Sequence, residues 1–185
     1  MGKDLSEMTL EELWQLFPIS LVKEKEVWQE WYEEIVQELS VLLPNDASYS
    51  IHHIGSTAID GIMAKNIVDV LVELPVELEM TKIADILATH DYRIMSAENE
   101  RISLNKGYTT SGFAEKVYHI HLRFLGDNEE VLFRDYLNIH PAIAAEYEAL
   151  KIRLSKEFEH DRDGYTNAKG DFIKKWTAVA KTQAI

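Results

Sequence analysis

The chain of 185 residues contains no cysteine. That excludes disulfides, thiolate zinc sites and cysteine nucleophiles, and it fits a reducing compartment. Any bound metal must be held by His, Asp or Glu. Long apolar runs are missing too: nothing approaches the roughly eighteen consecutive apolar residues of a membrane helix, and the first residues lack the basic-then-apolar layout of a secretory signal. A cytoplasmic protein with no membrane association is expected. Basic residues are the minority, 19 Lys and Arg against 32 Asp and Glu, for a formal net charge of −13. Phosphate backbones reward clustered Lys and Arg, so no non-specific binding to nucleic acid is expected, although a local basic pocket is compatible with the total. The Glu residues fall mostly in helical stretches, where they read as a solvated face. The length suits one domain that buries a core without disulfides or a structural metal.

Thr9 followed by Glu12 forms a capping box, which opens a short helix through Leu13, Trp14, Leu16 and Phe17 that stops near Pro18. Residues 1–20 read as an N-terminal helical arm and residues 21–185 as a single domain. From Val22 to Leu43 the positions Val27, Trp28, Trp31, Ile35, Leu39 and Leu42 recur at three- and four-residue steps, which predicts one amphipathic helix ended by Pro44-Asn45-Asp46. The period then shortens. Strands are predicted at about Tyr49–Ile54, Ile67–Leu74, Tyr92–Ser96, Arg101–Lys106 and Lys116–Phe124, with a helix at about Leu78–His90. In the last strand Tyr118, Ile120, Leu122 and Phe124 alternate with His119, His121 and Arg123, so one face is buried and the other polar. Beyond Gly126 the pattern is helical again: Val131–Ile139, a helix opened by Pro141, and one from about Tyr165 to Thr182. The fold class is α+β, a mixed sheet flanked by N- and C-terminal helices.

The segment from Ile51 to Val72 reads as strand, Gly-Ser turn, small residues, strand. Gly55 at the end of the first strand lets the backbone approach a ligand closely, while Ser56 and Thr57 add hydroxyls and N–H groups suited to phosphate oxygens. Lys65 adds a positive charge at the far end of the loop. Twelve residues separate Ser56 from Asp69, an isolated carboxylate in the apolar strand Ile67 to Val72. An unpaired buried carboxylate is costly, so Asp69 is expected at a cleft edge or beside a partner.

That combination resembles the nucleotidyltransferase superfamily, in which a Gly-Ser turn precedes a strand bearing metal-binding carboxylates. It resembles more closely the GrpB family, a nucleotidyltransferase-like group that also occurs fused to dephospho-CoA kinase. The matching words are His53-Ile-Gly-Ser-Thr-Ala, Ala64-Lys65, Ile67-Val-Asp69, His119-x-His121, Leu132-Phe-Arg-Asp-Tyr-Leu137, His140-Pro141, and Tyr165-x-x-x-Lys169 before Phe172-Ile173. They run in order from about Trp28 to Ile173. The resemblance implies a nucleotidyltransferase-like fold, a nucleotide or phosphorylated small molecule as partner, and Mg²⁺ or Mn²⁺ as cofactor. It places Asp69 and Ser56 as catalytic residues and His53, Gly55, Ser56, Thr57 and Lys65 around the ligand.

The residues also depart from the superfamily pattern. Two carboxylates spaced by two on a strand can hold Mg²⁺ between them, but Ile67 and Leu71 are apolar, and Glu73 lies roughly 13 Å along the strand. His119 and His121, about 6.6 Å apart along the chain, could with Asp69 form a site for a transition metal; equally, they could meet a phosphate directly. Arg101, Arg123 and Lys169 are further candidates for an anionic ligand, and His52 should face away from His53. Three readings follow: an enzyme transferring a nucleotidyl group, a catalytically inactive module binding a phosphorylated or coenzyme A-like ligand, and a protein-interaction domain using the aromatic arm Trp14 to Phe17. His53, Ser56, Asp69, His119 and His121 are expected to converge on one concave site.

Overall fold

The computed structural model describes residues 3–23, 25–45, 47–98 and 100–183. The expected capping box forms: the Glu12 N–H donates to Thr9 Oγ1 at 3.2 Å and the Thr9 N–H to Glu12 Oε2 at 2.8 Å, opening helix α1 (Leu10–Leu16). Helix α2 (Val27–Leu42) buries Trp28, Trp31, Ile35 and Leu39. It starts later than the periodicity suggested, because Val22 is extended and exchanges backbone hydrogen bonds of 2.8 and 3.0 Å with Ala64. Of the residues expected to end it, Asp46 lies outside the described residues.

The sheet contains β1 (Ser50–Ile54), β2 (Val68–Leu74), β3 (Arg93–Glu98), β4 (Arg101–Thr109) and β5 (Gly112–Phe124), in the order β1-β2-β5-β4-β3. Only the β2–β5 pair is parallel. The connection between these two strands carries helix α3 (Met80–Ala88) and the β3–β4 hairpin. In the middle of the sheet, Val68, Val70, Leu71, Val72 and Leu74 are fully buried. Even-numbered residues of β2 and β5 join Ile102 and Leu104 in a core with α2 and α3. The odd-numbered residues Asp69, Leu71 and Glu73 sit opposite His119, His121 and Arg123 on the other face.

That second face is covered by α4 (Glu129–Ile139), α5 (Pro141–Glu157), α6 (Arg162–Ala168) and α7 (Gly170–Gln183). Phe133, Tyr136, Leu137, Ala144, Tyr147 and Ala180 form a separate core among them with Ile59 and Ile62. The single helix expected from Tyr165 to Thr182 is two helices. Lys169 closes the first, and Gly170, a residue that costs a helix about 1 kcal/mol relative to alanine, opens the second. The arm packs on the domain: Phe17 is 3% exposed, with its ring 4.8 Å from Tyr108 and 4.9 Å from Phe113. No helix among the described residues is long and apolar enough to cross a membrane.

Candidate functional site

Strand β1 ends at Ile54, directly across from Asp69. The chain then turns through Gly55, at φ 71°, into a 3-10 turn, Ser56–Ala58. A Cβ on Gly55 would stand 2.5 Å from Asp69 Oδ2, so the close approach of turn and carboxylate requires glycine. The parallel register of β2 and β5 sets His119 opposite Asp69 and His121 one pleat further on. Asp69 Oδ1 lies 3.1 Å from His119 Nδ1 and 3.5 Å from His121 Nε2. Burial pushes the Asp69 carboxyl up, but hydrogen bonds from His119 and His121 outweigh it and hold the group well below the ordinary carboxylate range. Burial lowers His119, against the opposing pull of Asp69.

One ligand atom from each of Asp69, His119 and His121 lies within 4.8 Å of the other two. Donors held at about 2.1 Å from one ion in a tetrahedral arrangement stand about 3.4 Å apart, and the separations of 3.1 and 3.5 Å from Asp69 Oδ1 to the two histidines are close to that spacing. Two imidazoles and one carboxylate suit a first-row transition metal; Mg²⁺ prefers a shell of oxygens.

These residues open on a cavity of about 550 Å³ between the sheet and helices α4 to α7. Gly55, Ser56, Thr57, Lys65, Asp69, Arg101, His119, His121 and Lys169 all line it. Among the described residues, seven Lys and Arg side chains face this cavity against three carboxylates, the reverse of the whole chain's balance. The lysines cluster around two tyrosines. Lys169 Nζ lies 4.3 Å and Lys65 Nζ 5.7 Å from the centre of the Tyr165 ring, and Lys151 Nζ lies 4.9 Å from that of Tyr147. Burial, then repulsion from Lys169 and Arg162, pushes Lys65 down to about 7. Burial and Lys169 push Lys151 down to about 7, and burial brings Lys169 down to about 8. Asp69 pulls Lys65 and Lys169 the other way, and Glu148 does the same for Lys151, but burial outweighs both carboxylates.

Two expected members stand apart. His53 belongs to the opposite sheet face, because its register partner is Val70 rather than Asp69. Its ring stacks on Tyr32 at 4.8 Å, its Nε2 meets Thr57 Oγ1 at 2.9 Å, and burial lowers it to about 4. His52, set aside on the sequence, shares the Asp69 face instead but is bound to Glu73 at 2.7 Å. The alternation was right and its starting phase was wrong. Arg123 shares the face of Asp69, yet it is buried outside the cavity lining, with Nη1 donating to its neighbour's carbonyl, Leu122 O, at 2.9 Å. Arg101 lines the cavity while forming two hydrogen bonds to Asp127 of 2.8 and 2.6 Å.

Sequence reasoning passed over Lys151, Arg162, Tyr108 and Tyr147. Lys151 carried a readable signal: it sits four residues after Tyr147 and three before Leu154, on the buried stripe of α5, and it is 1% exposed. A lysine on an apolar stripe needs a partner or a ligand. Its Nζ donates to the Met63 carbonyl, which satisfies one of three donors.

The sheet order, the Gly-Ser turn and the strand bearing Asp69 give a nucleotidyltransferase-like fold. Solved structures agree: Cid1 poly(U) polymerase bound to MgATP superposes with a TM-score of 0.51 at 10% identity, over 80% of this chain and 45% of that one. The GrpB protein profile matches residues 18–178, and the chain belongs to the GrpB family. The conserved protein GrpB from Enterococcus faecalis superposes with a TM-score of 0.74 at 28% identity, covering 89% of this chain and 99% of that one. The glutamate-rich protein GrpB of Alkalihalophilus pseudofirmus is 29% identical over 160 residues, 84% of this chain and 91% of its own. UPF0157 protein YqkA of Bacillus subtilis is 28% identical over 168 residues, 88% of this chain; the chain spans about half of that relative, 48%.

Proposed function

We propose that the cavity binds a nucleotide or another phosphorylated small molecule together with a divalent transition metal. The phosphates rest on Lys65, Lys151 and Lys169 and on the backbone N–H groups of the Gly55-Ser56-Thr57 turn. Asp69, His119 and His121 hold the metal. One observation carries the reading: in a chain of net charge −13, seven basic side chains converge on a single cavity that also contains the three-residue ligand cluster. When bound, the metal supplies charge neutralisation and polarises a phosphoryl oxygen. The lysines hold the phosphates in register, and the surrounding helices limit access of water.

Nucleotidyl transfer is a second reading, favoured by the nucleotidyltransferase-like fold. It would proceed by in-line displacement, with Asp69 and Ser56 positioning the reacting phosphate. The lack of a second carboxylate two residues from Asp69 favours binding without transfer, since Ile67 and Leu71 stand where that ligand would be. Calorimetric titration with ATP, GTP, CTP and UTP, each with Mn²⁺ or Mg²⁺, tests both. Saturable heat that Lys151→Met and Asp69→Asn each weaken about tenfold or more is the expected result. No heat from any nucleotide overturns nucleotide binding, and binding without turnover of a labelled nucleotide removes transfer.

A further inference from the structure

Tyr108 reaches the site through a defect in the sheet. Up to Lys106, strand β4 pairs regularly with β5, Asn105 opposite His119 and Lys106 opposite Tyr118. A continued ladder would send Tyr108 to the α2 side with Lys106. The register shifts at Gly107, so that Tyr108 instead pairs with Phe113 and turns to the face of His119. The bulge depends on Gly107, at φ 90°, where a Cβ would stand 2.3 Å from the Lys116 carbonyl oxygen. Bulges of this kind re-aim side chains beside functional sites.

The re-aimed hydroxyl lies 2.8 Å from His119 Nε2, with the two rings stacked at 5.9 Å. From the other side Arg162 Nη2 donates to the same oxygen at 2.8 Å. Phe17 and Phe113 hold the tyrosine ring at 4.8 and 5.2 Å. Arginine can only donate, so the Tyr108 oxygen accepts from Arg162 and its own hydrogen is available for Nε2. Nε2 is then the acceptor nitrogen, and the ring proton sits on Nδ1, facing Asp69 Oδ1 at 3.1 Å. The other neutral tautomer would aim a lone pair at a carboxylate.

We propose that Tyr108 is a positioning residue for the Asp69–His119–His121 centre: its hydroxyl fixes His119 as the Nδ1–H tautomer in the free protein and reverses from donor to acceptor when a divalent cation takes Nδ1. The second half rests on the metal reading above; the first does not. The protons balance. On cation binding Nδ1 gives its proton to solvent and Nε2 takes one from solvent, so His119 stays neutral. The tyrosine hydrogen turns away, and its free lone pair accepts from Nε2–H. The hydroxyl thereby serves both states without moving, as partners of metal-binding imidazoles do.

Long-range ¹⁵N–¹H NMR of His119 near neutral pH tests it, in the wild-type chain and in Tyr108→Phe, which keeps the ring packing. Metal-free wild type should show a bare Nε2 and a protonated Nδ1, and Tyr108→Phe should show averaged tautomers. With Zn²⁺, wild type should show Nε2–H, and Tyr108→Phe should bind Zn²⁺ about 10- to 100-fold more weakly. An Nε2–H tautomer in metal-free wild type, or identical His119 signals in the two proteins, overturns the proposal. If the metal-free tautomers behave as expected and wild type fails to bind Zn²⁺, the tautomer role stands and the metal reading falls.

Discussion

Asp69 excludes a side chain from residue 55: its Oδ2 lies 2.5 Å from where a Cβ on Gly55 would be. Gly55 also holds φ at 71°, in the region that L side chains rarely adopt. Gly55→Ala should therefore cost about 1–3 kcal/mol in backbone strain alone and push the carboxylate from its histidine partners. Urea denaturation reads the first effect. Loss of metal-dependent heat in calorimetry reads the second; a variant with both unchanged would show that the turn and the strand can separate.

Lys151 should make stability depend on pH in a defined direction. Burial and Lys169 lower it from 10.5 to about 7, so between those values the unfolded chain holds a proton that the folded chain does not. The linkage slope is then positive: the cost of burying the ammonium is present below about 7 and is relieved as pH rises towards 10.5. Comparison of wild type with Lys151→Met by denaturant unfolding across that window checks the sign. The variant's advantage should be largest at the acid end and shrink as pH rises.

Phe17→Ala should cost roughly 3–5 kcal/mol, as for other large buried aromatic truncations. It should also reach the site, since the lost ring is one of the two that brace Tyr108. The expected pair of results is a lower thermal midpoint and a broadened His119 signal in NMR. If the arm serves an external partner instead, its removal would lower partner recovery while leaving His119 untouched.

How much of this was legible depends on which physical rule governed each part. Alternation in β5 exposed the His119 and His121 face, because apolar and polar residues there obey the period of two without a break. The lone Asp69 in an apolar strand announced a partner for the same reason. His53 misled because β1 is short and only partly buried, so its sequence gives no phase; pairing with Val70 sets it, and pairing is invisible along one chain. Tyr108 was illegible for a related reason, since a bulge at Gly107 inverts the face that alternation would give. The helix break at Lys169 was hidden by continuous helical propensity on either side of Gly170.

A cationic recess inside an anionic envelope has a kinetic signature. At a distance an incoming phosphate meets the field of a body carrying −13, and only within the recess does it meet the lysines. Screening acts over about 30 Å at 0.01 M salt but about 8 Å at 0.15 M, so added salt removes the outer repulsion before it weakens the inner contacts. Stopped-flow mixing with a nucleotide should therefore show faster association and faster release as salt rises. Most anion-binding proteins, whose field attracts from afar, would show slower association under the same change.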